Sequence, residues 1–247
     1  MKIKYFLFII LFFLLAGSAA YFIFLTNFFE IKNFSIEGNK FVEKNKIEAE
    51  IWRYLEQKNF VIKNSNFIFL NTKKLSDSLL VDLPRLEDIE IDKIFFNSFI
   101  VQIKEREPIG VWCQPEICFL IDKNGVIFEK APKIEGSLVL KISKNTDEEY
   151  KIKDQVVSAS LIKSILEFKF LFERKTGKLI PEIKIGSSGD ITIKTAPGFE
   201  IIFKNNFDAK ELTGRLFIFL DQEIKEKTAS LLYIDIRESS KIYYKFK

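Results

Sequence analysis

The sequence predicts an α+β protein with an N-terminal membrane-spanning helix followed by two folded units. Three observations lead to this fold class. Residues 5–25 form an apolar run without a charge. Residues 28–107 then show strand and helix periodicities in the order strand, helix, helix, strand, strand. Residues 108–247 consist largely of short alternating segments, typical of a mostly antiparallel sheet, with two helical stripes among them.

The apolar run, YFLFIILFFLLAGSAAYFIFL, has the length of about 20 residues that a helix needs to cross a bilayer. Within hydrocarbon the backbone must satisfy its own hydrogen bonds, so the run is predicted to be helical. Lys2 and Lys4 precede it, and no charged residue follows until Glu30. This asymmetry places residues 1–4 in the cytoplasm and everything after Asn27 beyond the membrane.

A cleaved signal peptide is the alternative interpretation of this run. Residues 6–15 have the length of a signal core, and the small residues AGSAA at 16–20 resemble a cleavage site. The apolar sequence resumes at Tyr21, however, where a cleaved signal normally meets polar mature sequence. We therefore expect an uncleaved anchor.

In the first unit, residues 29–37 predict a strand that ends at the turn Gly38-Asn39. Helical spacing follows at Ile47, Ile51 and Leu55. A second helix, capped by Asn71 or Thr72 and carrying Leu75, Leu79 and Leu80, should stop at Pro84. The alternating segments 89–94 and 99–103 then predict a hairpin around Asn97-Ser98.

The second unit should contain two helices and about nine strands. The first helix is predicted from a cap at Asp154 and an apolar face of Val157, Leu161, Ile165 and Phe168. The second is predicted from a capping box at Asp208 and Glu211, followed by an apolar face of Leu212, Leu216, Leu220 and Ile224. The predicted strands are residues 109–112, 118–121, 126–128, 138–142, 180–185, 191–195, 199–203, 231–236 and 241–246. The turns include DKNG at 122–125, SGD at 188–190 and APG at 196–198.

Composition excludes several classes of function. The chain has no histidine, which removes Cys-His and Ser-His nucleophiles and ordinary His-containing zinc sites. The 38 basic and 34 acidic residues alternate along the chain without a basic stripe, so nucleic-acid binding is not indicated. No arrangement of residues predicts a catalytic group, a cofactor or a metal site.

Cys113 and Cys118 are the two cysteines, and they flank a four-residue loop. A disulfide is feasible if they face each other in an oxidising compartment. The alternatives are two small buried side chains or two free thiols, and the sequence leaves all three open.

Three stretches stand in order along the chain: FSIEGN at 34–39, FFNSF through VQIKEREP at 95–108, and YIDIR with KIYYKF between 233 and 246. Together they resemble the bacterial cell division family FtsQ, also called DivIB. FSIEGN at 34–39 is similar to the strand and turn that open the family's POTRA domain. The family's motif in the middle of the chain is resembled by FFNSF at 95–99, VQIKEREP at 101–108 and Trp112. The stretch LIDKNGVIF at 120–128 follows this motif. YIDIR at 233–237 and KIYYKF at 241–246 resemble the end of its β-domain. Phe95-Phe96 replace the usual Trp-Pro, Glu43 stands where a capping Ser is common, and ESS at 238–240 replaces the usual turn.

The resemblance implies a POTRA domain at 28–107 and an FtsQ-type β-domain at 108–247. It implies a non-catalytic scaffold of the division septum, held in the cytoplasmic membrane, that joins FtsB- and FtsL-type partners (DivIC in some bacteria) to septal cell-wall synthesis. The POTRA domain would contact other division components. The final strand region would bind the FtsB-type partner, and we assign this role to Arg237, Lys241, Ile242, Tyr243, Tyr244, Lys245 and Phe246.

Physical arguments support this assignment. A terminal strand at a sheet edge offers unpaired backbone groups to another chain. Alternation would put Ile242, Tyr244 and Phe246 on one side and Tyr243, Lys245 and Lys247 on the other. The alternative is that Tyr244 and Phe246 belong to the core and that the lysines only protect the edge. Asp235 and Arg237, two residues apart, would fix the start of the strand.

Two other functions compete with this one. A POTRA-containing envelope transport or assembly factor would carry repeated POTRA units attached to a barrel, whereas this chain has one such unit and no barrel-length series of alternating segments. An anchored cell-wall hydrolase or transpeptidase would need a nucleophile arrangement such as Ser-x-x-Lys or Cys-His, which the sequence does not contain.

Overall fold

The computed structural model describes residues 2–59, 62–94, 97–132, 139–146, 148–196 and 198–247. Three features of the sequence discussed above lie outside these residues: Phe95-Phe96, the predicted strand start Leu138, and the turn residue Pro197. The chain divides into two compact units, residues 1–106 and 107–247.

The apolar run forms one continuous helix, α1 (Lys2–Leu25), as predicted. Of the described residues, only this helix is long and apolar enough to cross a membrane by length and composition. Its side chains from Lys4 to Phe22 are not buried by the rest of the protein. After Thr26, a single 3-10 turn, Asn27–Phe29, follows it.

The rest of the first unit packs two helices against a three-stranded sheet in the strand order β1-β5-β4. Strand β1 runs parallel to β5, and β4 pairs with β5 antiparallel. The order strand, helix, helix, strand, strand is confirmed, with a short β2–β3 ribbon added between the helices. The elements are β1 (Asn33–Glu37), α2 (Lys44–Leu55), β2 (Lys58–Asn59), β3 (Ile62–Lys63), α3 (Thr72–Asp82), β4 (Leu86–Ile94) and β5 (Ser98–Glu105).

The predicted apolar faces of both helices form the core of this unit. Ile47, Ile51 and Leu55 of α2 meet Leu75 and Leu79 of α3, and all five are fully or almost fully buried. Asn71 caps α3, because its Oδ1 accepts a hydrogen bond from the Lys74 amide at 3.0 Å. Glu43, which stands where a capping Ser is common in the resembled family, precedes α2 without a side-chain capping bond.

A buried carboxylate that the sequence analysis did not single out closes the turn after β1. Glu105, the last residue of β5, accepts hydrogen bonds from the backbone amides of Lys40, Phe41 and Val42 at 2.7 to 3.0 Å. Burial by itself would raise the pKa of Glu105, but these bonds and the nearby Arg85 outweigh it and hold the pKa below its usual range. Gly38 starts the turn at φ +88°, where a Cβ would lie 2.2 Å from the Ile103 carbonyl oxygen.

The second unit is a nine-stranded, mostly antiparallel sheet covered by two helices. Its strand order is β14-β13-β12-β11-β10-β9-β6-β7-β8, with parallel pairs only at β12–β13, β9–β10 and β6–β9. The strands are β6 (Pro108–Cys113), β7 (Cys118–Asp122), β8 (Ile127–Lys130), β9 (Lys141–Lys144), β10 (Glu182–Ile185), β11 (Asp190–Lys194), β12 (Glu200–Lys204), β13 (Leu231–Asp235) and β14 (Tyr243–Phe246).

The helices of the second unit are α4 (Ala159–Thr176) and α5 (Ala209–Phe219), which continues through one π-helical turn at Leu220–Ile224. A 3-10 segment, Lys225–Ser230, then leads into β13. Asp208 caps α5 as predicted, accepting hydrogen bonds from the Lys210 and Glu211 amides at 2.9 and 2.8 Å. Phe168 of α4 packs on Phe203 of the sheet, with ring centroids 5.3 Å apart.

The predicted start of α4 was wrong. The helix is capped by Ser158, and its buried residues are Ile162, Ile165, Phe168 and Phe172. Asp154 lies before the helix because its segment bonds to the hairpin instead: the Ile127 amide donates to the Asp154 carbonyl, and the Val156 amide to the Gly125 carbonyl. Val157 is buried but lies outside the helix, and Leu161 is only partly buried.

Several strand boundaries also differ from the prediction. Strand β1 begins at Asn33 instead of residue 29, and β4 begins at Leu86 instead of residue 89. Strand β9 begins at Lys141, three residues later than expected, and its parallel neighbours are β6 and β10. The last strand begins at Tyr243 instead of residue 241. The pairing of β9 depends on β6 and β10, which are distant in sequence, whereas β14 pairs with the neighbouring strand β13.

Candidate functional site

The candidate site is the C-terminal strand β14 and the loop that leads into it. Strand β14 pairs antiparallel with β13, and its register places Tyr243 opposite Asp235, Tyr244 opposite Ile234 and Lys245 opposite Tyr233. The Lys247 amide donates a 2.8 Å hydrogen bond to the Ser230 carbonyl, which extends the pairing to the last residue. The terminal strand is therefore held along its full length on one side.

The other side of β14 is an edge of the sheet. In the nine-strand order β14 stands at one end, and no described strand pairs with its outer side. Because the Lys247 amide faces β13, the alternation along a strand turns the amides of Lys245 and Tyr243 inward as well. The amides and carbonyls of Tyr244 and Phe246 consequently face outward, where another strand can bond to them.

The side chains of β14 are all exposed, including its three aromatic residues. Tyr243, Tyr244 and Phe246 are 51%, 42% and 37% exposed. The alternative that Tyr244 and Phe246 are core residues is thus wrong for this fold. The Tyr244 ring contacts Phe219 at the end of α5, with centroids 5.2 Å apart, and Phe246 at 5.5 Å. These three rings form a half-open aromatic row beside the edge.

The remaining site residues have different surroundings. Ile242, just before the strand, is half-buried and packs against the core of the second unit. Lys241 is exposed in the loop, and Lys245 is exposed on the strand. Strand alternation places Lys245 and Tyr243 on the face opposite the aromatic row.

Arg237 lies in the loop between β13 and β14 and is held by two carboxylates. Its Nε and Nη2 donate to Asp235 at 2.6 to 3.1 Å, and its Nη1 donates to Oδ2 of Asp190 at 2.9 Å. The hydrogen bonds from Arg237 lower the pKa of Asp235, and the same pairing raises the pKa of Arg237. The guanidinium therefore joins the start of this loop to strand β11.

A second arginine supports the same loop. Nη2 of Arg215, on α5, donates to the Glu238 carbonyl at 2.9 Å. Arg215, Arg237, Phe207, Asp208 and Ser239 are among the residues around a cavity of about 200 Å³ beside the loop. The residues at 238–240, which replace the family's usual turn, are thus fastened by a side chain from a helix.

Asp190, Arg215 and Phe219 were not among the predicted site residues. Each reaches the site from an element that is distant in sequence, and their roles depend on which strands and helices become neighbours. Asp190 was noticed only as part of a turn, and Phe219 lies between the stripe positions Leu216 and Leu220. No local pattern marks such contacts.

The two cysteines lie away from this edge, in the β6–β7 hairpin. Cys113 ends β6 and Cys118 begins β7, and the two residues are direct cross-strand partners. The structure joins them in a disulfide. The Gln114 amide donates to the Ile117 carbonyl at 2.8 Å, which closes the four-residue loop between them.

Among the described residues, no group of three or more Cys, Asp or Glu side chains could hold a metal ion. Besides the pair of Asp235 and Arg237, a second group of titratable side chains with mutually shifted pKa values consists of Lys144, Glu148 and Tyr150. A hydrogen bond to Tyr150 is the main cause that raises the pKa of Lys144, and a bond from Tyr150 lowers the pKa of Glu148. These three groups form hydrogen bonds with one another at the surface, so we interpret the cluster as structural.

Comparison with known proteins identifies relatives of both units. Residues 29–106 match the family model described as the FtsQ-type POTRA domain. The protein named cell division protein DivIB of Clostridium acetobutylicum is 28% identical over 129 residues, which cover 52% of this chain and 48% of that relative, just under half of its length.

Other relatives extend the similarity along the chain. The cell division protein DivIB of Clostridium botulinum strain Hall is 24% identical over 229 residues, covering 88% of this chain and 82% of the relative. The cell division protein FtsQ of Rhizobium radiobacter is 38% identical over 48 residues, covering 19% of this chain and 23% of that protein.

Proposed function

This chain belongs to the FtsQ/DivIB family of bacterial cell division proteins, and on that premise we propose that it is a non-catalytic scaffold of the division machinery. In this proposal α1 anchors the chain in the cytoplasmic membrane with its N-terminus inside. The POTRA unit and the β-domain then lie beyond the membrane at the septum. The POTRA unit contacts other division components, and the β-domain binds an FtsB-type partner, alone or together with an FtsL-type protein.

The outward edge of β14 is the observation that carries the proposal. A partner segment in extended conformation would add to the sheet as a further strand and bond to the backbone of Tyr244 and Phe246. Backbone pairing of this kind supplies affinity with little dependence on sequence, and the alternate side chains then select the partner. Strand addition also covers an edge that would otherwise invite aggregation.

The aromatic row gives this edge its selectivity. Tyr244 and Phe246 stand half-exposed beside Phe219, so an apolar side chain of the added strand can pack against them. Aromatic residues in such positions often dominate binding, at about 2 kcal/mol or more each. On the opposite face, Tyr243 and Lys245 would contact a polar or acidic residue of the partner.

Arg237 would act by holding the loop that precedes the strand, which presents β14 at a fixed angle. The cavity of about 200 Å³ beside Arg215 and Arg237 can receive a side chain of the partner next to the added strand. Lys241 and Ile242 connect the two regions. The proposed surface therefore runs from the loop to the last residues of the chain.

The non-catalytic role follows from the chemistry that the site offers. The chain lacks histidine, and the candidate edge contains aromatic rings, lysines and backbone groups rather than a nucleophile with its base. The relatives are named as division proteins, which favours this role over an envelope transport factor.

Localisation and depletion test this function. A fluorescent fusion is expected at the septum, and depletion is expected to produce filaments. Diffuse envelope signal together with normal division would contradict it. An epitope tag at the N-terminus tests the anchor in a separate experiment. Retention of the tag on the exported protein supports the anchor, whereas loss of the tag during export would show a cleaved signal.

A further inference from the structure

A loop of the POTRA unit is bonded to the segment that immediately follows α1. The Phe67 amide donates to the Phe29 carbonyl at 2.8 Å, the Ile31 amide donates to the Ser65 carbonyl at 2.8 Å, and Glu30 and Asn66 form an isolated antiparallel bridge. We name residues 66–69 the juxtamembrane loop. These bonds tie the loop to residues 29–31, which begin four residues after the end of α1.

The distance from the end of α1 to this loop is short. Thr26 and the 3-10 turn Asn27–Phe29 separate Leu25 from the bonded segment. Because a 3-10 turn rises about 2 Å per residue and an extended residue spans about 3.5 Å, Phe29 lies within roughly 10 Å of the helix end. The polar interface of one leaflet is about 5–8 Å deep, so side chains of the loop are within reach of it.

The loop presents apolar side chains outward on a rigid frame. Ile68 and Phe69 are 44% and 42% exposed, and Phe28 on the adjoining turn is 62% exposed. The Ile68 amide donates to Oδ1 of Asn66, and the Phe69 and Leu70 amides donate to the Asn66 carbonyl. Exposed Phe and other apolar side chains beside basic residues are the kind that interfacial segments bury at the boundary between headgroups and acyl chains.

Basic groups accompany these side chains. Nζ of Lys93 donates to the Phe67 carbonyl at 2.9 Å and stands 5.2 Å from the centre of the Phe67 ring. Lys32, three residues beyond the turn, is exposed as well. Ammonium groups beside an apolar surface are attracted to anionic headgroups, at about 1 kcal/mol per residue near a charged membrane.

We propose that the juxtamembrane loop, together with the turn Asn27–Phe29, rests on the outer lipid surface of the membrane that α1 crosses. The lipid interface would cover Phe28, Ile68 and Phe69, and Lys93 would face the phosphates. The proposal rests on the anchoring by α1 proposed above. This second contact with lipid, in addition to α1, would restrict the tilt of the POTRA unit relative to the membrane. A connection through the chain after α1 alone would restrict that tilt less.

The opposite end of the same sheet provides a matched control. Strand β1 runs away from the membrane segment, parallel to β5, from the Lys32–Asn97 hydrogen bond towards Glu105. Phe41, 66% exposed, lies at the Glu105 end. The eight residues of β5 span about 26 Å, so Phe41 lies about that far along the sheet from the end that is bonded to the segment after α1.

The test measures depth by spin labelling of the full chain in lipid nanodiscs that contain both anionic and zwitterionic lipids. Ile68→Cys, Phe69→Cys and Phe41→Cys are each made in a Cys113→Ser/Cys118→Ser background and labelled with a nitroxide. Accessibility to oxygen, which partitions into lipid, is compared with accessibility to a water-soluble nickel chelate. A label at Phe12→Cys reports separately whether α1 is embedded, and circular dichroism checks that each variant folds.

The ratio of oxygen to nickel accessibility is expected to be severalfold higher at positions 68 and 69 than at position 41. Equal, water-like ratios at all three positions with an embedded label at position 12 would overturn the lipid contact while leaving the anchor intact. A water-exposed label at position 12 would overturn the anchor, and the lipid contact with it. If only one of the two loop variants folds, that variant alone decides the outcome.

Discussion

The ring of Tyr244 packs edge to face against the ring of Phe219, with their centroids 5.2 Å apart. This contact joins the terminal edge strand to the end of α5, and it leaves the outer part of the tyrosine exposed. An aromatic ring that is fixed on one side and open on the other loses little entropy when a partner covers it. If a partner strand adds to β14 as proposed, its edge would therefore need little rearrangement on binding.

Substitutions on the face opposite the aromatic row test the partner surface. The double variant Tyr243→Ala/Lys245→Glu is expected to weaken capture of the FtsB-type protein from the same organism by at least about tenfold, since it removes an aromatic contact and reverses a charge. Titration of the purified full chain in nanodiscs measures the affinity, with circular dichroism as a check of folding.

The other edge of the sheet offers a control for that variant. Lys130→Glu on β8 reverses an exposed charge on an edge strand at the far end of the same sheet. It should leave the affinity unchanged. Unaltered affinity of the Tyr243→Ala/Lys245→Glu variant would remove these residues from the interface.

The role of Arg237 is tested through Asp190, which touches the guanidinium from a neighbouring part of the sheet. Asp190→Asn weakens the 2.9 Å ion pair, so the loop before β14 should be held less firmly. We expect Asp190→Asn to lose severalfold in partner affinity, with little change in the urea concentration at the midpoint of unfolding. Glu182→Gln, which disturbs exposed pairs with Lys184 and Lys194, is the control and should have no effect on either. Full affinity in Asp190→Asn would show that the loop needs no such support.

Glu105 should make the stability of the POTRA unit depend on pH. Its pKa is lowered in the folded state, so the carboxylate stabilises the fold above its ordinary pKa of about 4.5, and this contribution disappears as the pH falls through that value and below it. Glu105→Gln is expected to cost about 1–3 kcal/mol at pH 7 and to flatten the dependence of stability on pH below about pH 5.

Urea denaturation at pH 7 and pH 4 measures this effect, with the exposed Glu90→Gln as the matched control. At pH 7, Glu105→Gln should lower the free energy of unfolding more than Glu90→Gln does. This difference between the two variants should be smaller at pH 4. A loss that is the same at both pH values would mean that the three backbone hydrogen bonds do not depend on the charge of the carboxylate.

The disulfide between Cys113 and Cys118 closes a short loop and should stabilise the β-domain modestly. The entropy estimate for a loop of this size is about 2 kcal/mol, so Cys113→Ser/Cys118→Ser should lower the free energy of unfolding by up to this amount. Titration of the denatured, unreduced protein with a thiol reagent is expected to find no free thiol. Two free thiols in protein exported by its own host would refute the bridge.

Much of this fold could be predicted from local patterns. The run at 5–25 predicted α1, periodicity predicted both helices of the POTRA unit, and the pair Asp208 and Glu211 marked the start of α5. Each of these signals lies within one segment of chain. Residues at a helix start or on a buried face are chosen by neighbours three or four positions away, so the sequence alone reveals them.

What could not be predicted depends on contacts between distant segments. Asp154 has the chemistry of a cap, but pairing with the hairpin at Gly125 and Ile127 takes its segment away from α4. Glu105 looked like one acid in a charged stretch, yet it is buried because a turn 63 to 65 residues earlier supplies three amides. The contact of Asp190 with Arg237 likewise depends on the neighbours that the sheet order brings together.

The central claim is that a partner strand adds to the outer edge of β14, and residue-resolved amide hydrogen exchange tests it most directly. In the free protein the amides of Tyr244 and Phe246 should exchange quickly, while those of Tyr243 and Lys245, which face β13, are protected. Adding the FtsB-type partner should slow exchange at Tyr244 and Phe246 by at least about tenfold and leave the inner amides little changed. Saturating partner that leaves exchange at Tyr244 and Phe246 unaltered would contradict strand addition at this edge.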